Sequence, residues 1–477
     1  LKKTKAPTAS TRTASRIRSA VAALCLVQAV DVLGVTILIA ALPAMLRSLD
    51  APASLAGILA TSYAMAFGGL LMLGARLGDR LGPRRVLLAG LLGFGVASAL
   101  AAVAGSVAVL VAARCLQGAA AAASVPSALR LLSEVVHDEA SRRRALAAWS
   151  AAGAAAGATG LLAGGLLTSL VGWRAVFWLN LPLAAVLILT IRHTVRAAGG
   201  IAAGALDVVG SLLLTSGLMS LILAASVLER GSSRGWGGVL GAGGCLLLAL
   251  FARAQRTARN PLLPGPAISE PRLRAGAGAA FVNTATTSSA VTLATLYLQN
   301  TRHVSPAATG LMLLPFSLCV VLGAGATGRW LANRDPALTM AVGLGLIAVG
   351  DGALLLPGIE VLLPGCAAVS GLGIGLSSVA ANTVGTDVRA EHRGAAAGIL
   401  NTAAQLGTAL GVAAAVLIAD VTDQADLPLR GAPLSWAIAA ALAAGAALVA
   451  LWRNRGRARP GNRLPVGGGH HMTSPRY

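Results

Sequence analysis

Asp31 and Arg114 are the residues of this sequence best placed to do chemistry, because each lies inside a long apolar run. A guanidinium in such a run stays charged at any physiological pH and is costly there, so it needs a partner. Asp31 is the natural one, as one of very few acids within an apolar run. At a rise of 1.5 Å per residue, Asp31 falls about 16 Å from the inner end of its helix. Arg114 falls about 10 Å below the outer end of its own, so both approach the midplane of a bilayer. Burial favours the neutral carboxyl and a nearby guanidinium favours the ionised one. A carboxylate held between them can take up a proton when a moving helix weakens the pairing. A static buried ion pair is the structural alternative. Asp351 is the other clearly intramembrane acid. It lies toward the outer end of its run, where it could meet a cationic substrate or be solvated.

The elements that position these groups are transmembrane helices. The chain has 477 residues, 56% of them hydrophobic and only 12% charged. A soluble globular protein has about 25% charged residues, so this chain cannot cover a water-facing surface of its size. Apolar runs of about 20 residues cross a bilayer core as helix, and the alternation of a membrane barrel is absent. Fourteen spans are predicted, near 20–44, 55–74, 86–105, 107–129, 145–170, 175–191, 208–227, 236–252, 275–298, 308–327, 337–357, 361–382, 395–419 and 433–452.

The net charge of +21 would suggest nucleic acid for a soluble protein, but its placement excludes that class. With the amino terminus inside, 31 of the 38 Lys and Arg fall in inner loops and tails. That bias predicts a plasma (inner) membrane protein with both termini cytoplasmic. The seven tryptophans lie near span ends, as an interfacial belt would. The first eighteen residues, basic and free of acid, fit a basic flank or a transit peptide equally well. The five cysteines are dispersed and the six histidines lie outside the spans, so no disulfide framework, metal site or cofactor is implied. Nor is there a nucleophile–base pairing or phosphate loop, so a transporter is expected and not an enzyme. The partners expected are protons, a small molecule and lipid, with the chain acting as a monomer.

Two longer charged inner loops divide the spans six, two and six. The expected organisation is a basic tail (1–19), a six-helix bundle (20–200), an inserted helix pair with its loop (201–270), a second six-helix bundle (271–452) and a basic tail (453–477). The outer sixes read as a repeat. The loop after the second span contains Gly74, Gly78, Asp79, Arg80, Gly82, Arg84 and Arg85. The loop after the tenth contains Gly328, Asn333 and Arg334 at matching spacing, as a degenerate second copy.

These residues carry a family resemblance. The first loop resembles the G-x-x-x-G-D-R-x-G-x-R-R signature of the major facilitator superfamily. The resemblance implies a gate, in which Asp79 pairs with the opposite half in one state only. Arg114 to Gly118 resembles the R-x-x-Q-G element of the fourth span. Gly153, Gly157, Gly160, Gly164 and Gly165 form a small-residue groove for close packing. They resemble the antiporter element G-x-x-x-G-P-x-x-G-G, with Leu161 in place of its proline. The segment Trp173-Arg174-Ala175-Val176-Phe177-Trp178-Leu179-Asn180-Leu181-Pro182 resembles a hairpin of the fourteen-helix drug:proton antiporter family. In that family the first span carries an Asp where this chain has Gly34; Asp31 lies one turn inward on the same face.

The fold this implies is an all-α polytopic membrane protein of two six-helix bundles plus an inserted helix pair. The function implied is export of amphipathic drug-like molecules by proton antiport through alternating access. Gly34 and Leu161 also permit an uptake symporter or facilitator. Thr36, Tyr63, Gln117, Asn283, Thr287, Asp351, Asn401 and Gln405 are the candidate cavity residues. The polar groups of the ninth and thirteenth spans either line that cavity or bond neighbouring helices.

Overall fold

The computed structural model describes residues 9–52, 55–136, 138–195, 207–228, 234–258, 261, 269–331, 335–356, 359–389, 393–423 and 431–457. Residues 1–8 of the first basic tail, 458–477 of the second, residues 196–206 of the first long loop and the Asn333–Arg334 part of the degenerate second gate loop lie outside the described residues.

Apolar length dictates the architecture. The first seven helices are α1 (Ala9–Ser48), α2 (Ala56–Leu81), α3 (Pro83–Ala102), α4 (Val107–Val135), α5 (Glu139–Leu170), α6 (Arg174–Trp178) and α7 (Asn180–Thr194). Two more, α8 (Val208–Leu228) and α9 (Arg234–Thr257), follow. The last six are α10 (Pro271–Leu296), α11 (Pro306–Leu331), α12 (Pro336–Ala353), α13 (Ile359–Thr386), α14 (Arg393–Asp423) and α15 (Ala432–Arg457). A π-helical turn, Tyr297–Thr301, extends α10.

Local chemistry sets the boundaries. Pro83, Pro271 and Pro336 open their helices at the position where a missing N–H costs nothing. Ser106 and Asp138 cap α4 and α5, each accepting from a backbone N–H of the first turn. Between α2 and α3 the chain reverses on Gly82, whose φ of 92° a side chain would oppose.

Among the described residues, twelve helical spans, with α6 and α7 counted as one, are long and apolar enough to cross a membrane. The two of the fourteen expected spans outside that set are α8, whose apolar stretch is the shorter Val208–Leu221, and α10. Polar residues dilute α10, but they face protein. Thr286, Thr287, Thr292 and Thr295 donate to carbonyls on their own helix. Thr284 also donates to the Ala404 carbonyl of α14, at 2.6 Å. The helix-bonding reading of this polar span is the one its geometry follows.

Helices α1–α7 pack among themselves, as do α10–α15. Contact between the groups runs chiefly through α5 with α11 and α2 with α14. The second helix of each six thus lies against the fifth of the other, a twofold-related arrangement. Helices α8 and α9 pair with each other, and α8 leans on α2 and α14.

The core is asymmetric along the helix axes. At the end away from the termini, one apolar cluster joins both groups, with Leu38, Leu42, Leu161 and Phe177 from the first and Ala294, Leu298, Leu313 and Trp436 from the second. At the end near the termini each group has its own cluster, around Leu24, Leu87 and Leu131 in one and around Met340, Leu344 and Ala381 in the other. An apolar cluster thus seals the two groups together at one end, while at the other, parted end no such shared cluster joins them among the described residues.

The tryptophans do not all form a belt. Trp178, Trp236 and Trp452 are exposed, but Trp149, Trp173 and Trp436 are buried. Trp173 donates to the Ser48 hydroxyl at 2.6 Å and stacks against the Arg174 guanidinium, so this ring pins a hairpin instead of facing lipid.

Candidate functional site

The polar centre of the first group forms where α1, α2, α3, α4 and α7 meet. Close approach there depends on Gly118 of α4, where a Cβ would run into the backbone of Tyr63 on α2. Asp31 and Arg114 are both buried, but Arg114 does not pair with Asp31 directly. Tyr63 stands between them. Its hydroxyl donates to the Asp31 carboxylate. Its ring lies under the Arg114 guanidinium, 4.6 Å from carbon to centroid.

Arg114 turns instead to the position where the resembling family has its acid. Its Nη1 donates to the Gly34 carbonyl at 3.2 Å and to Gln117 Oε1 at 3.1 Å. Gln117 in turn donates to the Ser98 hydroxyl at 2.7 Å. Asn180, from the hairpin motif, donates to the same hydroxyl at 3.3 Å. Nε and Nη2 of Arg114 have no partner among the described residues. The direct ion pair expected from sequence is thus replaced by a carboxylate–phenol–guanidinium stack. Two guanidinium nitrogens remain available to a second acceptor. Ser98 was missed by sequence reasoning, and nothing in its neighbourhood marks it. Tyr63 was expected among the cavity residues and Asn180 as part of the hairpin motif, neither with an assigned partner.

The other candidate residues fall in three places. Asn283 accepts from the Ser377 hydroxyl at 2.7 Å inside the second group. Thr287 and Asp351 line a cavity of about 10 Å³, room for no more than a water. Asp351 is fully buried, with Ser370 donating to Oδ1 at 2.8 Å and Oδ2 unpartnered. The solvated position that sequence allowed for Asp351 is therefore corrected: its helix ends on a turn that leaves the carboxyl enclosed by α10, α11 and α13. Thr36, Asn401 and Gln405 retain accessible surface. Gln405 also packs on Gly68, where α14 crosses α2.

The gate loop differs from expectation in its partner. Asp79 forms an ion pair with Arg130 of α4, within its own half, and Arg130 also binds Glu134 at 2.9 Å. The reason is the length of α4, which runs past the predicted span end at 129 and carries Arg130 to the loop. Contact beyond the group comes from Arg76, which donates to the Pro261 carbonyl at 2.8 Å. Arg84 donates to the Arg192 carbonyl, while Arg80 and Arg85 are exposed. Gly74 and Gly78 let α2 close on Ala122 and Ser127 of α4. The Asp79–Arg130 pair is part-exposed, so Arg130→Ala should cost no more than about 1 kcal/mol of stability. Thermal unfolding in detergent should show that small shift alongside a severalfold slower transport rate, if the loop gates.

The glycines of α5 serve two faces. Gly160 and Gly164 meet Thr36 and Ile37 of α1, and Gly153 meets Gln28 of the same helix. Gly157 meets Val32. Gly165 instead meets Pro306 and Ala307 of α11, in the opposite half. Across the same seam Gln299 donates to the Ala40 carbonyl at 3.0 Å and Arg47 to the Asn300 side chain at 3.2 Å.

This arrangement has relatives. The puromycin resistance protein pur8 of Streptomyces alboniger is 36% identical over 81% of this chain and 78% of its own length. The multidrug efflux pump LfrA of Mycolicibacterium smegmatis is 30% identical over 92% of this chain and 89% of its own. The crystal structure of the human organic anion transporter MFSD10 superposes with a TM-score of 0.64 at 17% identity, covering 91% of this chain and 99% of that one. That likeness shows a shared fold of helices crossing the membrane many times. Residues 24–254 and 276–475 match the sequence profile of the Major Facilitator Superfamily, and the chain belongs to that superfamily of transporters.

Proposed function

We propose that this chain exports amphipathic small molecules of the drug or antibiotic type by proton antiport, through alternating access. The observation that carries the reading is the buried Asp31, held by the Tyr63 hydroxyl beside a guanidinium with two open nitrogens. A carboxyl so enclosed binds or releases a proton only if its surroundings rearrange, and that links protonation to a conformational step. The substrate class follows relatives whose names are those of resistance, export and efflux proteins.

The sealed and parted ends support a rocking of two halves about the α5–α11 and α2–α14 crossings. In this reading the chain is of the fourteen-helix drug:proton antiporter type, with α8 and α9 inserted as a peripheral pair. It lies in the plasma membrane with both termini in the cytoplasm, so the parted end faces inward. Asp79 with its arginines forms the inner gate. Thr36, Asn401 and Gln405 are the candidate residues left to meet substrate.

The test uses inside-out vesicles holding a proton gradient reported by a pH-sensitive dye. Adding cationic dyes or antibiotics should collapse the gradient. Substrate accumulation that leaves the gradient intact would remove proton antiport. Movement of substrate and protons in the same direction would replace it by symport.

A further inference from the structure

The second group carries a groove of about 530 Å³ between α10, α12 and α15, at the end where α15 runs out. Its wall is apolar along Gly278, Val282, Leu344 and Val449, and its rim carries Arg274 and Arg453. The groove opens to the membrane side, since Val449 and the neighbouring Trp452 are exposed. At Gly278 a side chain would meet nothing within 4 Å, so an empty channel passes the helix there.

The two arginines are exposed, and neither side chain forms a hydrogen bond or ion pair among the described residues. Arg272, two positions from Arg274, shows the contrast by pairing with Asp387. Arg274 also sits in the first turn of α10, where the helix dipole disfavours a cation; the one acid at this helix start, Glu270 at the N-cap, makes no capping hydrogen bond with its side chain. An anion bound between Arg274 and Arg453 would relieve both the dipole conflict and the mutual repulsion.

We propose that this groove binds one anionic phospholipid. Its phosphate lies between Arg274 and Arg453, and an acyl chain lies along Gly278, Val282, Leu344 and Val449. Lipid is the solvent on this face of the bundle, so the apolar channel selects a chain-bearing ligand over a soluble anion. Basic pockets between helices at the charged end of a membrane protein recognise anionic headgroups. The bound lipid ties α10 to α15. The inference rests on the membrane-spanning fold and is independent of proton coupling.

Native mass spectrometry of the full chain in detergent tests it. The protein is titrated with phosphatidylglycerol and with phosphatidylcholine of identical acyl chains. A cation near the surface contributes roughly fivefold in anionic-lipid affinity, so two contribute about thirtyfold. Replacing both, Arg274→Ala with Arg453→Ala, should erase about that preference for phosphatidylglycerol. The exposed pair Arg253→Ala with Arg256→Ala on α9 should leave it in place. Gly278→Leu, which fills the channel, should lower the occupancy of both lipids. A preference unchanged by the first pair, or lost equally with the second, would overturn the proposal in favour of diffuse surface charge. Displacement of the lipid by glycerol phosphate would overturn the part played by the acyl chain.

Discussion

Asp31→Asn should abolish drug-driven proton movement while leaving the protein folded. The amide oxygen can still accept from the Tyr63 hydroxyl, so the buried stack keeps its geometry and thermal unfolding should barely shift. What is lost is the proton. A carboxamide cannot take up that proton, so substrate-driven collapse of the gradient should fall to the background seen without protein. Tyr63→Phe removes the donor but keeps the carboxylate, and should retain coupling at a lower rate.

A second-site test is built into the same stack. Arg114 already reaches the Gly34 carbonyl, and a Cβ at position 34 would meet only Phe94, at 3.8 Å. Gly34→Asp should therefore restore coupling to Asp31→Asn. If the single Asn variant still couples, measured by gradient collapse in vesicles, the proton is carried elsewhere. Tyr63→Phe as inactive as Asp31→Asn would shift the role to the phenol.

Gly165→Leu should open the sealed end. A Cβ at this position would stand 3.1 Å from the Ala307 Cα and closer still to the Pro306 carbonyl, so backbone would have to move. Overpacking of this kind costs about 1–3 kcal/mol. The cost falls only on the state in which α5 and α11 touch. The population should shift toward the opposite state by roughly 5–150-fold. Spin labels replacing Arg47 and Asn300, whose side chains touch across the seam, should report a longer separation. Gly164→Leu makes the informative contrast. Its Cβ would strike Ile37 of α1, inside one half, and so should lower folded yield without favouring either state. An unchanged separation in Gly165→Leu would mean that the α5–α11 crossing does not hold the seal.

Much of the fold was legible because span length and charge bias are written locally. Apolar runs alone bring out α1 to α5 and α11 to α15. The span predicted at 275–298 is α10, Pro271–Leu296, although its hydropathy is diluted by threonines that its own backbone and α14 satisfy, which hydropathy cannot anticipate. Within the site, the types of Asp31 and Arg114 announce a buried electrostatic problem. The answer through Tyr63 depends on how α2 passes between α1 and α4, and no spacing rule encodes that. The same holds for Asp79. Its partner became Arg130 because α4 extends beyond the point where its hydropathy falls. The α5 glycines read as one packing face; only the packed helices separate Gly164, which serves α1, from Gly165, which serves α11.

The shared apolar cluster at the sealed end has a thermodynamic consequence. Parting it would bring Leu42, Leu161, Leu298 and Leu313 into water, and exposure of apolar surface raises heat capacity. The free energy between the two states is then a curved function of temperature, with hydrophobic closure weakening on cooling. Few charges cross this seam, so added salt acts on it mainly through water structure and little through screening. Under the proposed alternating access, temperature should therefore shift the resting balance between the two states more strongly than ionic strength does.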